Sequence, residues 1–217
     1  MLMFDLYNIM KKLPAKLADA MARRREYDAF NILNNGFVTT YNSGGDGAAL
    51  FSAAHTSPNA VIANQSNIVI STDAGTSNMD LAEDALEAVE VQAGTAKDAQ
   101  GERITINLDT LVVPPQLKDT AERILQTTGR VETADNDVNL YKNKYKLVTS
   151  PYLSNAAYWY IFDSSMNELN FLWAQHPKLE GPETVFDTGS LKYKSTMLYT
   201  MGWSGWRGWF GSTGANA

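Results

Sequence analysis

The sequence predicts an α+β protein, and three observations carry that expectation. Apolar residues recur at helical spacing over residues 4–35, helix and strand patterns alternate in a middle stretch, and residues 191–203 alternate with a period of two. At 217 residues the chain is long enough to bury about 70% of its unfolded surface, so a core is expected. Charged residues make up only 19%, against a usual share near 25%, which argues against a disordered or coiled-coil chain.

The first element is the long helix. Met10, Leu13, Leu17 and Met21 recur at three and four, then Tyr27, Phe30 and Leu33 at three. Pro14 marks a start or a kink, because it cannot donate the interior hydrogen bond. Asn34, Asn35 and Gly36 stop the helix, with Gly36 placed for a left-handed closing residue.

A polar, turn-rich stretch from Ser57 to Asn78 follows, holding the short apolar run Ile68, Val69, Ile70. A second helix is expected at 79–92, with Met79, Ala82, Leu86 and Val89 on one face and Ser77 with Asp80 as a capping box. RITIN at 103–107 reads as a strand, TLVVPP as another ended by Pro114 and Pro115, and Leu117, Ala121, Ile124 and Leu125 as a third helix stopping near Gly129. Beyond it, YKLVTS, AYWYIFDS and LNFLWAQ read as strands. The run 191–203 is the clearest: Leu191, Tyr193, Met197, Tyr199, Met201 and Trp203 sit at odd positions, Lys192, Lys194, Thr196 and Thr200 at even ones. Thirteen residues at ~3.3 Å each make a strand on the order of 40 Å long, which suits an extended protein better than a compact enzyme.

Composition excludes several kinds of chemistry. The net charge of −6 opposes sequence-specific binding of nucleic acid. With no cysteine, there is no disulfide, no thiolate zinc site and no cysteine nucleophile. MLMFDLYNIMKKLPAK makes a poor secretory signal, and no window reaches the ~18 apolar residues that cross a bilayer, so a soluble protein made in the cytoplasm and independent of membranes is expected.

NSGGDGAALFSAAH at 42–55 holds Asp46, Ser52 and His55 within ten positions, the residue types of a hydrolytic triad. Yet Ser52 lies in FSAAH rather than Gly-x-Ser-x-Gly, and no lysine or arginine occurs between Arg25 and Lys97, a stretch with nine carboxylates. Neither a serine hydrolase nor a phosphate loop is signalled, and the segment is expected to be a connector leading out of the first helix. Metal sites are not expected: His55 and His176 are the only histidines and lie far apart, and TADND at 133–137 lacks calcium-loop spacing. Glu83 and Glu87, one helical turn apart, are expected on a solvated face. The expected catalytic, cofactor and metal residues are therefore none.

The tail GWSGWRGWFGS gathers Trp203, Trp206, Trp209 and Phe210 around Arg207. Aromatic rows stack sugars or bases, so a secreted carbohydrate-binding or hydrolytic domain using this cluster is an alternative. The favoured expectation is that these five residues serve a core edge or a subunit interface, where aromatics and arginine are enriched.

Taken in order, FNILNNGF at 30–37, DGAALFSAAH at 46–55, LVVPPQLKDTAERIL at 111–125 and GWRGWFGS at 205–212 resemble the major capsid proteins of tailed bacteriophages, in the group similar to the Mu major head subunit. The resemblance spans most of the chain. It implies the Hong Kong 97 phage fold: a peripheral domain on a long spine helix and long strands, and a mixed α/β axial domain. Residues 1–74 would hold the spine helix and the first part of the peripheral domain, 75–135 the axial domain, and 136–217 the return strands. The family's N-terminal arm and extended loop would be absent or reduced, since the chain starts almost at the spine helix. The closing motif departs from the family's pattern, with Gly205 standing where an acid is expected before Trp206 and Arg207.

The implied function is that of a non-catalytic major head subunit, assembled in the host cytoplasm into hexamers and pentamers of an icosahedral virion shell, without cofactors. Its partners would be copies of itself, with portal, scaffold or decoration proteins, and packaged DNA only non-specifically. Another virion component is the further alternative.

Overall fold

The computed structural model describes residues 9–39, 46–56, 64–70, 78–129 and 138–214. Its elements in chain order are α1 (Ile9–Asn34), α2 (Glu83–Gly94), β1 (Thr110–Val113), α3 (Lys118–Gln126), β2 (Lys146–Thr149), β3 (Trp159–Phe162), β4 (Leu169–Thr184), β5 (Leu191–Trp203) and β6 (Trp209–Ser212), an α+β chain as expected. It divides into two compact units: residues 1–30 with 170–202, and residues 31–169 with 203–217. No helix among the described residues is long and apolar enough to cross a membrane.

In the first unit, α1 turns Leu17, Met21, Arg25 and Asp28 inward at steps of four, four and three while most of their neighbours stay exposed. Pro14 lies inside the helix, where it forfeits one ladder bond without ending it. β4 and β5 form a two-stranded ribbon of 16 and 13 residues, reversed at 185–190 where Val185 donates its amide to the Ser190 carbonyl at 2.9 Å. The ribbon is tied to α1 through Asp28, which accepts from the Tyr199 hydroxyl at 2.7 Å and from Arg24 Nε at 2.9 Å. Phe171, Trp173 and Tyr199 cluster beside that tie with ring centroids 4.8–5.6 Å apart. LNFLWAQ is thus the start of a strand that runs on through Pro177 and Pro182. Both strands of a ribbon are edges, where a missing N–H is tolerated.

In the second unit four short strands make a mixed sheet in the order β2-β1-β3-β6, with β1 and β2 parallel and the other neighbours antiparallel. Leu111 opposes Ile161, and Ile161 opposes Phe210, so one apolar row crosses three strands. Leu86 and Val89 of α2, Ile124 and Leu125 of α3, Val69 and Trp159 complete the core with that row. At about 25 cal/mol per Å2 a fully buried side chain of this size is worth roughly 1.5–3 kcal/mol, which is what holds four-residue strands in register.

Three expectations are corrected here. The second helix begins at Glu83 rather than 79: Asn78 adopts φ 63°, Ala82 caps without a side-chain bond, and Glu83 and Asp84 face the positive helix end. Ser77, half of the expected capping box, lies outside the described residues, as do Gly44, Gly45, residues 133–137 and the limits at 75 and 135. RITIN is no ladder strand. Ile104, Ile106 and Leu108 do turn partly inward, but the Asn107 amide goes to Asp163 Oδ2 at 2.8 Å and the Ile104 amide to the Ala96 carbonyl, leaving only an Arg103–Lys97 bridge. Finally, Gly36 does not have a positive φ; a different constraint fixes it.

Candidate functional site

That constraint is Phe51. A Cβ on Gly36 would stand 2.7 Å from Phe51 Cδ2, and a Cβ on Gly211 would stand 2.9 Å from Cδ1, so the ring is wedged between two backbones. Phe37 and Tyr160 pack against it at 4.9 and 5.2 Å. Tyr160 donates its hydroxyl to the Leu33 carbonyl at 2.9 Å, closing the end of α1 over the sheet, and its burial pushes the phenol pKa up. Asn34 adds two bonds to the 152–154 segment. Three of the four segments singled out in the sequence, NILNNGF, DGAALFSAAH and GWRGWFGS, meet at this one ring.

Beside it lies a buried polar network. Asp46 Oδ2 is 2.7 Å from His55 Nδ1, and His55 Nε2 is 3.1 Å from Asn67 Oδ1. Asn67, fully buried, accepts from the Ser52 amide at 2.8 Å and donates Nδ2 to the carbonyls of Leu50 at 2.7 Å and Trp209 at 3.1 Å. These bonds fix the amide's orientation, so both imidazole nitrogens face acceptors. The main chain repeats the staple: Gly211 donates to the Asn67 carbonyl and Val69 to the Gly211 carbonyl, each at 3.0 Å.

The structure therefore joins two of the three triad residue types and leaves out the third. Ser52 Oγ accepts the Ala54 amide instead of meeting the imidazole, whose second nitrogen is taken by Asn67. An aspartate and a histidine with no hydroxyl to activate form a strut rather than a nucleophile relay.

The aromatic tail is accounted for residue by residue. The Trp206 indole stacks on His55 at 4.1 Å and 6°, and the Arg207 guanidinium lies 4.7 Å over that indole while Nε donates to the Lys97 carbonyl at 3.0 Å. Trp209 stacks on Phe162 at 4.1 Å and donates Nε1 to Asn167 Oδ1 at 3.1 Å. Phe210 belongs to the core, and Trp203 and Arg207 are half-buried. With faces of Trp206 and Trp209 stacked inside the chain, these two do not offer the open platform that a sugar needs, which removes the main support for the carbohydrate-binding alternative. A Cβ at Gly205 would run into Glu168 Oε2, so the Glu168 carboxylate fills the space where a side chain at 205 would begin.

Two further carboxylates, which the sequence did not single out, clamp the 104–109 segment to the end of β3. Burial raises the pKa of Asp163, but hydrogen bonds from the Ser165 hydroxyl and the Asn107 and Ser165 amides outweigh it and hold the carboxyl below its ordinary value. Asp109 is likewise opposed by burial and lowered by hydrogen bonds from Ser164 and Thr110. A depressed folded pKa adds stability above the unfolded value near 3.8, lost as pH falls through the folded value. The urea midpoint is expected to hold from about pH 7 to 5 and to drop below about pH 4. Asp163→Asn should cost about 1.5–3 kcal/mol at neutral pH and flatten that acid limb; an unchanged limb would refute the assignment.

The chain thus combines an α+β unit braced by stacked aromatics and buried polar bonds with a long helix and a long exposed ribbon. The match with known families places it more narrowly. The family model described as phage capsid protein matches residues 1–211, and the chain belongs to that family. A comparison with curated proteins finds no match. Membership makes the chain a structural component of a phage virion.

Proposed function

We propose that the chain is the major head subunit of a tailed phage, similar to the Mu-like group, with the Hong Kong 97 fold. It self-assembles in the host cytoplasm into hexamers and pentamers of an icosahedral shell around DNA. α1 is the spine helix, the β4–β5 ribbon supplies the long strands of the peripheral domain, and the second unit, including the described part of 75–135, is the axial domain. The observation that carries this reading is the family match over 1–211 on a chain that holds a 26-residue helix and paired strands of 16 and 13 residues.

Such elements span distances that a compact enzyme has little use for. Trp203 and Arg207, half-buried, are the tail residues left for contacts with neighbours; Trp206, Trp209 and Phe210 brace the fold. The net charge of −6 keeps a concentrated subunit from sticking to packaged DNA. Portal, scaffold and decoration proteins are the other expected partners.

Expression of the chain followed by electron microscopy and sedimentation tests the proposal. Closed particles, or rings of five and six subunits, are expected. A protein that stays monomeric at every concentration and salt condition would overturn it.

A further inference from the structure

We propose that Phe186, at the tip of the β4–β5 ribbon, inserts into an apolar groove on the first unit of a second copy, a knob-and-socket contact between neighbouring subunits. The inference rests on the self-assembling role above and names one contact within it.

Phe186 is 100% exposed, the extreme among the large apolar residues described. A whole aromatic ring left in water forgoes roughly 1.5–3 kcal/mol of burial, which a tip that serves no contact would have no reason to forgo. The same unit carries a groove of about 190 Å3 between α1 and the ribbon, lined by Met21, Ala22, Trp173, Leu179 and Met197. An apolar cavity of about 150 Å3 holds a benzene ring, so the groove has room for a phenyl group.

The ring cannot be the groove's own. From Leu179 to the end of β4 at Thr184 is five steps, about 17 Å of extended strand, and from Met197 back to Leu191 six steps, about 20 Å. Phe186 lies beyond both ends, so a second copy must supply it. Charge points the same way. Asp187, next to Phe186, makes no ion pair among the described residues, while Arg25 and Lys178 line the groove and meet only Glu26 at 3.9 Å and Glu180 at 2.8 Å. Lys178 is held by Glu180, whereas Arg25 is only weakly paired, so an apolar knob beside a carboxylate matches an apolar socket beside the Arg25 guanidinium. Knob and socket are different surfaces, so each copy can give its knob to one neighbour and take another's, and head-to-tail repetition of the contact closes rings.

The chain has no cysteine, which makes the test direct. In Phe186→Cys/Ala22→Cys any disulfide must join two copies. Mild oxidation of assembled particles should give a ladder of multimers on a non-reducing gel, while Phe186→Cys alone stays monomeric on that gel. Phe186→Ala, at a fully exposed position, leaves the fold untouched and should raise the concentration needed for half-assembly at least tenfold. Absence of the ladder, dimers from the single-cysteine chain, or assembly of Phe186→Ala at the wild-type concentration would each overturn the contact while particles of the wild type keep the shell role intact. If the wild type forms no particles, the shell role fails separately, and the double-cysteine chain at high concentration still reads the contact.

Discussion

Asn67→Leu is expected to lower the stability of the second unit by at least about 3 kcal/mol, read as a fall in the urea midpoint at unchanged slope. The side chain is close in volume to the one it replaces, so the loss comes from polar groups rather than from a cavity. Without the amide, the carbonyls of Leu50 and Trp209, the Ser52 amide and one nitrogen of His55 each lose a buried partner. An orphaned buried group costs about 1–3 kcal/mol, and four of them in one pocket take a large part of a domain's usual 5–15 kcal/mol. Asn67→Asp should be no rescue, because its carboxylate would face two carbonyl oxygens. A change under about 0.5 kcal/mol for Asn67→Leu would mean that the network is not a staple.

Gly211→Val should be comparably damaging, for a steric reason. Its Cβ would approach Phe51 to 2.9 Å, and the ring has little room to retreat because its other edge packs on Gly36, where even an added Cβ would come within 2.7 Å of it. Overpacking of this kind costs about 1–3 kcal/mol or more, and the branched side chain adds to it. The discriminating measurement is a double-mutant cycle with Phe51→Leu. If the clash is the cause, the pair costs clearly less than the sum of the singles, with a coupling of about 1 kcal/mol or more. Strict additivity would place the damage in the β6 backbone instead.

Much of the architecture was legible in the sequence because it is written in local periodicity. The odd positions of 191–203 face inward in a single strand, and the first helix ends at Asn34 as the NNG signal implies, although Leu13 and Tyr27 of its expected apolar face are exposed. β4 was harder to read because it lies mostly exposed on both sides; with no buried face to select for, alternation fades after Trp173. The 103–107 run shows the reverse failure. Its alternation is real, but Asp163 takes an amide that a ladder would need, and that carboxylate lies 56 residues away from Asn107.

The site divides in the same way. Asp46 and His55 stand nine positions apart and were visible as a pair of chemical types, whereas Asn67 carried no local mark, since its Trp209 partner is 142 residues distant. Gly36 looked like a helix stop on sequence grounds. Its actual role, shared with Gly211, depends on a ring that only the folded chain brings between them.

The junction around Phe51 also imposes an order in time. Its walls come from the end of α1, segments 46–56 and 64–69, β3 and β6, and β6 is the last of these to leave the ribosome. Until residues 209–212 arrive, Asn67 has no Trp209 carbonyl, Val69 has no Gly211 acceptor, and β3 keeps an open edge beside Tyr160 and Ile161. The second unit is therefore withheld from its finished shape until residues 209–212 are made, and the edge of β3 stays open to wrong pairing until then.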